Sequence, residues 1–238
     1  MKRIIITCLL IIFAVSIADA GRRRPQSGKV KDRVYIDSKY GFKITIDEGW
    51  KHSLRKENDN FRLLLTKRKY EIPAEYINAP DYTQIPRIII WTDTTSLPTF
   101  AFLDSLVSKT WNTKQKKELL KEFEIIASDI SSGSRREKFI PRGRKPVKLS
   151  GEQAILWQAK STYVKDVAVT SSGLASKRVY GAYGGAIVVV KKGNRAFVFH
   201  LMTEWAYFEN NLKETLNIIS TFEFSGESNK EKADKSEG

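Results

Sequence analysis

Few side chains in this sequence are of a type and spacing that could carry chemistry. Imidazole comes only from His52 and His200, which fall in different predicted elements. His52 follows a Gly-Trp turn and is expected to be exposed, whereas His200 alternates with Phe199 and Leu201 as a strand residue does. A metal held by these two would need carboxylates that no spacing here supplies. No metal ligands are therefore assigned, and His200 reads as a hydrogen-bonded sheet residue rather than a catalytic one. Asp47 and Glu48 are adjacent in a turn, while general acid–base work needs two groups at a defined separation with pKa values pushed apart. The run "GAYGGA", residues 181–186, is rich in Gly but lacks the Lys and Ser/Thr of a phosphate cradle. In a strand, such glycines serve a bulge or the close approach of a neighbouring backbone. A nucleophile elbow and a zinc HExxH are absent, so no catalytic residue is assigned and no cofactor is named.

Charge is the more informative chemistry. The chain carries a formal charge of +14, which predicts attraction to polyanions: lipid head groups, cell-wall polymers, acidic proteins or nucleic acid. The densest cluster is "SRREKFIPRGRKPVK", where Arg135, Arg136, Lys138, Arg142, Arg144, Lys145 and Lys148 face one acidic neighbour, Glu137. Pro141, Gly143 and Pro146 oppose regular structure, so these cations are expected on a mobile loop between two strands, gathered into one positive patch. The competing reading is a solvated loop whose charge only aids solubility. Aromatic residues interleaved with cations, such as Tyr163, Tyr180 and Tyr183, could also suggest a single-strand nucleic-acid platform, but strand-face alternation accounts for them.

The first twenty residues, "MKRIIITCLLIIFAVSIADA", place Lys2 and Arg3 before an apolar run, with Ala18 and Ala20 framing a cleavage point ahead of Gly21. This is the pattern of a secretory signal peptide, and its apolar run is shorter than the ~20 residues that cross a bilayer. Cleavage near Ala20 would remove two cations and one anion, leaving about +13, and would release a secreted or periplasmic protein with no transmembrane span. It would also remove Cys8, the only Cys, which excludes disulfides, thiol catalysis and Cys-ligated zinc from the mature chain. Export makes nucleic acid the least suitable polyanion.

These features need a scaffold, and four divisions follow from composition: a signal peptide at 1–20, a basic flexible arm at 21–33, a single domain at 34–224 and a disordered charged tail at 225–238. No internal repeat is visible. "VYIDSKYGFKITI", "NFRLLLTKR" and "IPRIIIWTD" read as strands, and the Pro-bearing stretch between the last two as irregular. Leu103, Leu106, Val107 and Trp111 recur at helical spacing behind Pro98. This helix either continues or restarts through "KQKKELLKEF", and "FEIIASDI" returns to strand character. "LSGEQAILWQAKSTYV" reads as one long strand, and Gly193-Asn194 as a two-residue hairpin turn. Trp205, Phe208, Leu212, Leu216 and Ile219 then mark a final helix with Glu204 in its first turn, before strand-like "STFEF". Trp91, Trp111 and Trp157 belong to apolar elements and are expected in the core.

The stretch "YGFKITIDEGW", residues 40–50, alternates Phe42, Ile44 and Ile46 with polar residues and ends in an acidic Gly turn before Trp50. Gly49 is expected to permit a backbone that other residues resist, and Trp50 to cover the sheet edge. With the crossover helix, the "LSGEQAILWQ" entry and the closing hairpin, helix and "TFEF", it resembles the PsbP-like superfamily. The resemblance spans nearly the whole of 34–224. It implies the α/β/α fold of the photosystem extrinsic proteins, shared with exported bacterial proteins and with a nuclear-import factor that binds the small GTPase Ran. Members are mostly binding or accessory proteins rather than enzymes. Asp47 departs from the Pro that many relatives carry there.

The expectation is thus an α+β protein: an α/β/α sandwich with a central, mainly antiparallel sheet. Its function would be that of an exported, non-enzymatic binding or accessory module. It would engage an anionic envelope component or an acidic protein through basic loops. The alternatives are a small-molecule or lipid carrier, or a small hydrolase using a pocket between sheet and helices.

Overall fold

A computed structural model describes residues 26–56, 60–70, 86–107, 135–168 and 176–225, with the backbone alone at 135–139, 163–168 and 176–180. The leader, the first part of the arm, the tail, Trp111, "KQKKELLKEF" and "FEIIASDI" lie outside these residues. Two antiparallel sheets form the framework. The smaller comprises β1 (Lys29–Lys31), β2 (Val34–Asp37), β3 (Phe42–Thr45) and β11 (Glu223–Phe224), in that order. The larger has seven strands: β4 (Trp50–Leu54), β5 (Phe61–Lys67), β6 (Arg87–Thr94), β7 (Arg135–Leu149), β8 (Glu152–Ala168), β9 (Ser176–Lys192) and β10 (Arg195–Glu204). Their order across the sheet is β4-β5-β6-β10-β9-β8-β7.

Period-2 alternation gives the large sheet two apolar faces. Ile88, Ile90, Val188, Val190, Phe197 and Phe199 join Phe42, Ile44, Ile46 and Trp50 in one core, beneath the small sheet and the helix α2 (Phe208–Ser220). Ile89, Trp91, Trp157, Ile187, Val189 and Val198 form the other, beneath the helix α1 (Thr99–Val107). The layers are helix, sheet, then helix with a second small sheet, which is the expected sandwich. Phe42 and Phe224 from the small sheet, Phe197 from the large one and Phe222 beyond α2 meet with ring centroids 4.9 to 5.5 Å apart, in the tilted and edge-on geometries aromatic rings favour.

Trp50 is fully buried, but the turn before it works differently from the sequence reading. Gly49 is not in the left-handed region. The Asp47 side chain accepts a hydrogen bond from the Gly49 amide at 2.8 Å, and the Asp47 carbonyl accepts one from the Trp50 amide at 3.0 Å. Asp47 therefore replaces a rigid Pro with an Asx turn of its own.

Four further expectations are corrected. Residues 26–33, read as arm, enter the fold: Gln26 bridges to Lys56, Ser27 is buried, and β1 pairs with β2. Glu204 ends β10 opposite Tyr183 rather than opening a helix, and Trp205–Tyr207 form a 3-10 turn before α2 begins. The basic loop is the edge strand β7, paired with β8 from Arg135 to Leu149. Among the described residues no strand lies beyond β7, a position where the missing N–H of Pro141 and Pro146 is tolerated, and Gly143, at φ +105°, sits at one of two register shifts. Ser150 and Gly151, both at positive φ, make the tight turn into β8, so "LSGEQAILWQ" holds a hairpin turn rather than the start of one long strand.

The sheets are locked together by a buried ion pair. Arg62 on β5 and Asp37 on β2 are both fully inaccessible, with Nε and Oδ2 2.6 Å apart. Arg62 also donates to the Ser27 carbonyl at 2.5 Å, and the Tyr35 hydroxyl donates to Asp37 at 2.9 Å. Removing one partner strands a buried charge, so Arg62→Met is expected to cost about 3–5 kcal/mol in urea unfolding. Asp37→Asn together with Arg62→Met should recover part of that loss, and single variants within ~1 kcal/mol of the parent would refute the role.

Candidate functional site: the basic end of the sheet

The seven cations singled out from sequence do not form one patch. From Arg135 to Lys148 the strand runs about 40 Å at its usual rise per residue, so they make a stripe along the sheet edge. Arg135, Arg136 and Lys138 lie on the part of β7 opposite residues 162–164 of β8, where β8 and β9 have run past the end of β10. Arg142 turns to the α2 side, ion-paired with Glu209 at 2.7 Å and 5.0 Å from the Trp205 ring. Arg144 turns to the α1 side, paired with Asp104 and lying over the Phe100 ring at 4.7 Å. The register shift between Pro141 and Gly143 sends these two neighbours to opposite faces. Lys145 and Lys148 are exposed.

What the fold gathers is a different set. The β7–β8 and β9–β10 turns lie at the same end of the sheet, as the pairing of Ala154 with Val190 requires. The second turn carries Lys191, Lys192 and Arg195 around Gly193-Asn194, with Gly193 in the left-handed conformation that the turn demands. On the α1 face, Lys191, Arg144 and Lys148 line a cleft of about 910 Å³ with Pro98, Phe100 and Ile155. On the other face, Lys39, Lys192 and Arg195 line a second cleft of about 450 Å³ with Tyr40 and Phe224.

Stacking holds several of these cations in place. The Arg195 guanidinium lies 4.4 Å from the Tyr40 ring, and Lys192 Nζ lies 4.7 Å from that of Phe224. Lys191 donates to the Leu97 carbonyl. Asp93, buried beside this end, has its carboxyl pushed up by burial and drawn back by the Thr94 amide and by Arg195. The arrangement sets positive charge around apolar surface. The sequence reading missed Lys39, Lys191, Lys192 and Arg195, although "KKGNR" shows cations on both sides of a strong turn signal.

A second polar network lies beside α2. A cleft of about 380 Å³ beside α2 is lined by Lys67, Tyr70, Asn211 and Glu214, among others. The fully buried Glu204 accepts from the Tyr70 hydroxyl at 2.7 Å and from Thr203 at 3.1 Å. Burial and the Glu204 carboxylate push the Tyr70 hydroxyl far up, so it donates and stays neutral. Asn211 links Thr203 to Lys67, which also pairs with Glu214 at 2.8 Å. The network seats α2 on the sheet. Gly184, within "GAYGGA", allows close packing: a Cβ there would come within 2.1 Å of the Phe208 ring. Tyr183 is buried, while the side chains of Tyr163 and Tyr180 lie outside the described residues. Among the described residues, no group of three or more His, Cys, Asp or Glu is placed to hold a metal.

No protein-family model matches the sequence, and no curated protein matches it. Solved structures give similarities at low sequence identity. The chain is similar to the cyanobacterial PsbP (CyanoP) of Synechocystis, with 10% identity, a TM-score of 0.48, and coverage of 83% of this chain and 96% of that one. It is similar to the Ran-binding protein Mog1p of Saccharomyces cerevisiae, with 9% identity, a TM-score of 0.39, and coverage of 82% and 96%. It is also similar to LpqN, described as involved in cell envelope biogenesis of Mycobacterium tuberculosis, with 12% identity, a TM-score of 0.38, and coverage of 79% and 87%.

His52 is exposed on β4, and His200 is fully buried in β10 between Ile89 and Ile187. Burial, with the Arg87 guanidinium adding to it, holds the His200 imidazole well below its ordinary value. The folded state therefore keeps it neutral, while the unfolded chain takes up a proton below pH ~6.5. Stability should fall as pH drops from there, by at most about 1.4 kcal/mol per pH unit from this group. Urea midpoints measured from pH 7 to 5 should fall less steeply in His200→Gln than in the parent, and equal slopes would remove His200 from the acid response.

Proposed function

We propose that this protein is an exported, non-enzymatic binding module that adsorbs to an anionic envelope surface through the basic end of its large sheet. One observation carries the reading. Lys39, Arg144, Lys148, Lys191, Lys192 and Arg195 come from three separate segments and line two clefts that share the β9–β10 turn. In these clefts Arg195 and Lys192 lie against aromatic faces and Lys191 donates to a backbone carbonyl, contacts that leave positive charge in place, while Arg144 pairs with Asp104 and Arg195 also acts on Asp93. A surface of this kind attracts polyanions over several ångströms and steers their approach. The export pattern at 1–20 supports an envelope setting, and no helix among the described residues is long and apolar enough to cross a membrane. An acidic protein partner would exploit the same charge, so it belongs among the outcomes of the test.

Each cation held near an anionic lipid surface contributes on the order of 1 kcal/mol. Lys148→Ser/Lys191→Ser/Lys192→Ser should therefore weaken adsorption to anionic vesicles at low salt by roughly 100-fold and flatten the salt dependence. Unfolding midpoints should stay close to the parent. Arg135→Ser/Arg136→Ser/Lys138→Ser, at the far end of the β7 stripe, should change adsorption much less. The reverse ranking would sink the assignment, and retained capture of an acidic protein with no vesicle binding would move the partner from surface to protein.

A further inference from the structure

We infer that the cleft beside α1 seats an anionic phospholipid headgroup while Leu97 and Phe100 at its rim enter the acyl region of the same leaflet. The inference rests on the basic-end reading above and names the surface as a lipid one. Leu97 is 40% exposed and Phe100 50% exposed, and both are among the few large apolar side chains that the described residues leave open. They flank Pro98 at the entrance of α1, on the same side as Arg144, Lys148 and Lys191. Exposed apolar groups rimmed by charge mark interaction surfaces, and here the rim is positive. Pro98, Pro146 and Ile155 give the cleft an apolar lining between its cations.

Charge complementarity selects the occupant. A soluble polyanion would use the cations and leave Leu97 and Phe100 in water. A zwitterionic surface would use the apolar pair without the cations. An anionic leaflet uses both, in the manner of an interfacial anchor that lies on a bilayer without crossing it. Arg144 is held over the Phe100 ring, so the cation that would meet the phosphate and the ring that would pass beneath it are fixed to one another. Lys191, bonded to the Leu97 carbonyl, ties the second apolar residue to the second cation in the same way.

The test uses the full chain carrying Cys8→Ser, so that an introduced Cys is the sole thiol. An environment-sensitive dye is attached at Ser96→Cys beside the rim or, as a reference, at Ser53→Cys on the opposite sheet edge. With phosphatidylglycerol vesicles the Ser96 dye should shift to the blue and be quenched by doxyl-labelled lipid about twofold or more, while the Ser53 dye stays unchanged. Phosphatidylcholine vesicles and dextran sulfate should produce neither change. Leu97→Ser/Phe100→Ser should abolish the response at Ser96 and lower vesicle affinity at high salt by about tenfold or more, while leaving dextran sulfate binding intact. Vesicle or dextran sulfate binding without any response at Ser96 overturns the insertion and leaves the basic-end reading standing. Loss of binding to vesicles and polyanion alike overturns both.

Discussion

The ion pair between Arg62 and Asp37 is the constraint on which much of this structure depends. Two sheets that share no strand must hold one relative position, and apolar packing alone specifies such a position loosely. A guanidinium and a carboxylate taken wholly out of water have few acceptable geometries. Here the same carboxylate also accepts from the amides of Lys39 and Tyr40 at 3.1 and 3.0 Å. The group that joins the sheets thus also shapes the β2–β3 turn. That turn delivers Lys39 and Tyr40 to the basic end, where the Tyr40 ring lies 4.5 Å from the Arg62 guanidinium and 4.4 Å from that of Arg195. A buried charge on β5 is in this way connected through one aromatic ring to a surface charge on β10.

Much of the scaffold was legible in the sequence because it follows from short-range physics. Alternation of Phe42, Ile44 and Ile46, the helical spacing of Leu103 and Leu106, and the turn at Gly193-Asn194 each carry their structure within a few residues. The errors arise where a residue's meaning depends on a distant neighbour. Pro141 and Pro146 argue against a strand in isolation, yet an outermost strand accepts them, and whether a strand is outermost is a property of the sheet. Ser150-Gly151 was a turn signal in plain view, hidden by reading the apolar run that follows as beginning too early. Glu204 beside an aromatic residue looked like a helix start, but its burial against Tyr70 keeps it in strand β10.

The candidate site was less legible for the same reason. Charge density along the chain drew attention to β7, whereas charge density in space depends on which turns share an end of the sheet. The β9–β10 turn, with three cations in five residues, is modest in sequence. It becomes prominent only beside Lys39, Arg144 and Lys148. Long cationic side chains are also anchored here by their stems and by ring faces, so the end of the sheet presents charge from partly ordered groups. Such preorganisation reduces the entropy lost on binding.

The outer margin of β7 has a consequence for how the protein behaves at high concentration. A long strand at the border of a sheet offers a row of amide and carbonyl groups to any other chain, and paired borders grow into fibres. Pro141 and Pro146 interrupt that row, and the register shift at Gly143 bends it. Arg142, Arg144, Lys145 and Lys148 make two such borders repel when brought side by side. The features that made the segment look like a loop are thus the features of a gatekeeper, set along the mostly exposed residues 140–148.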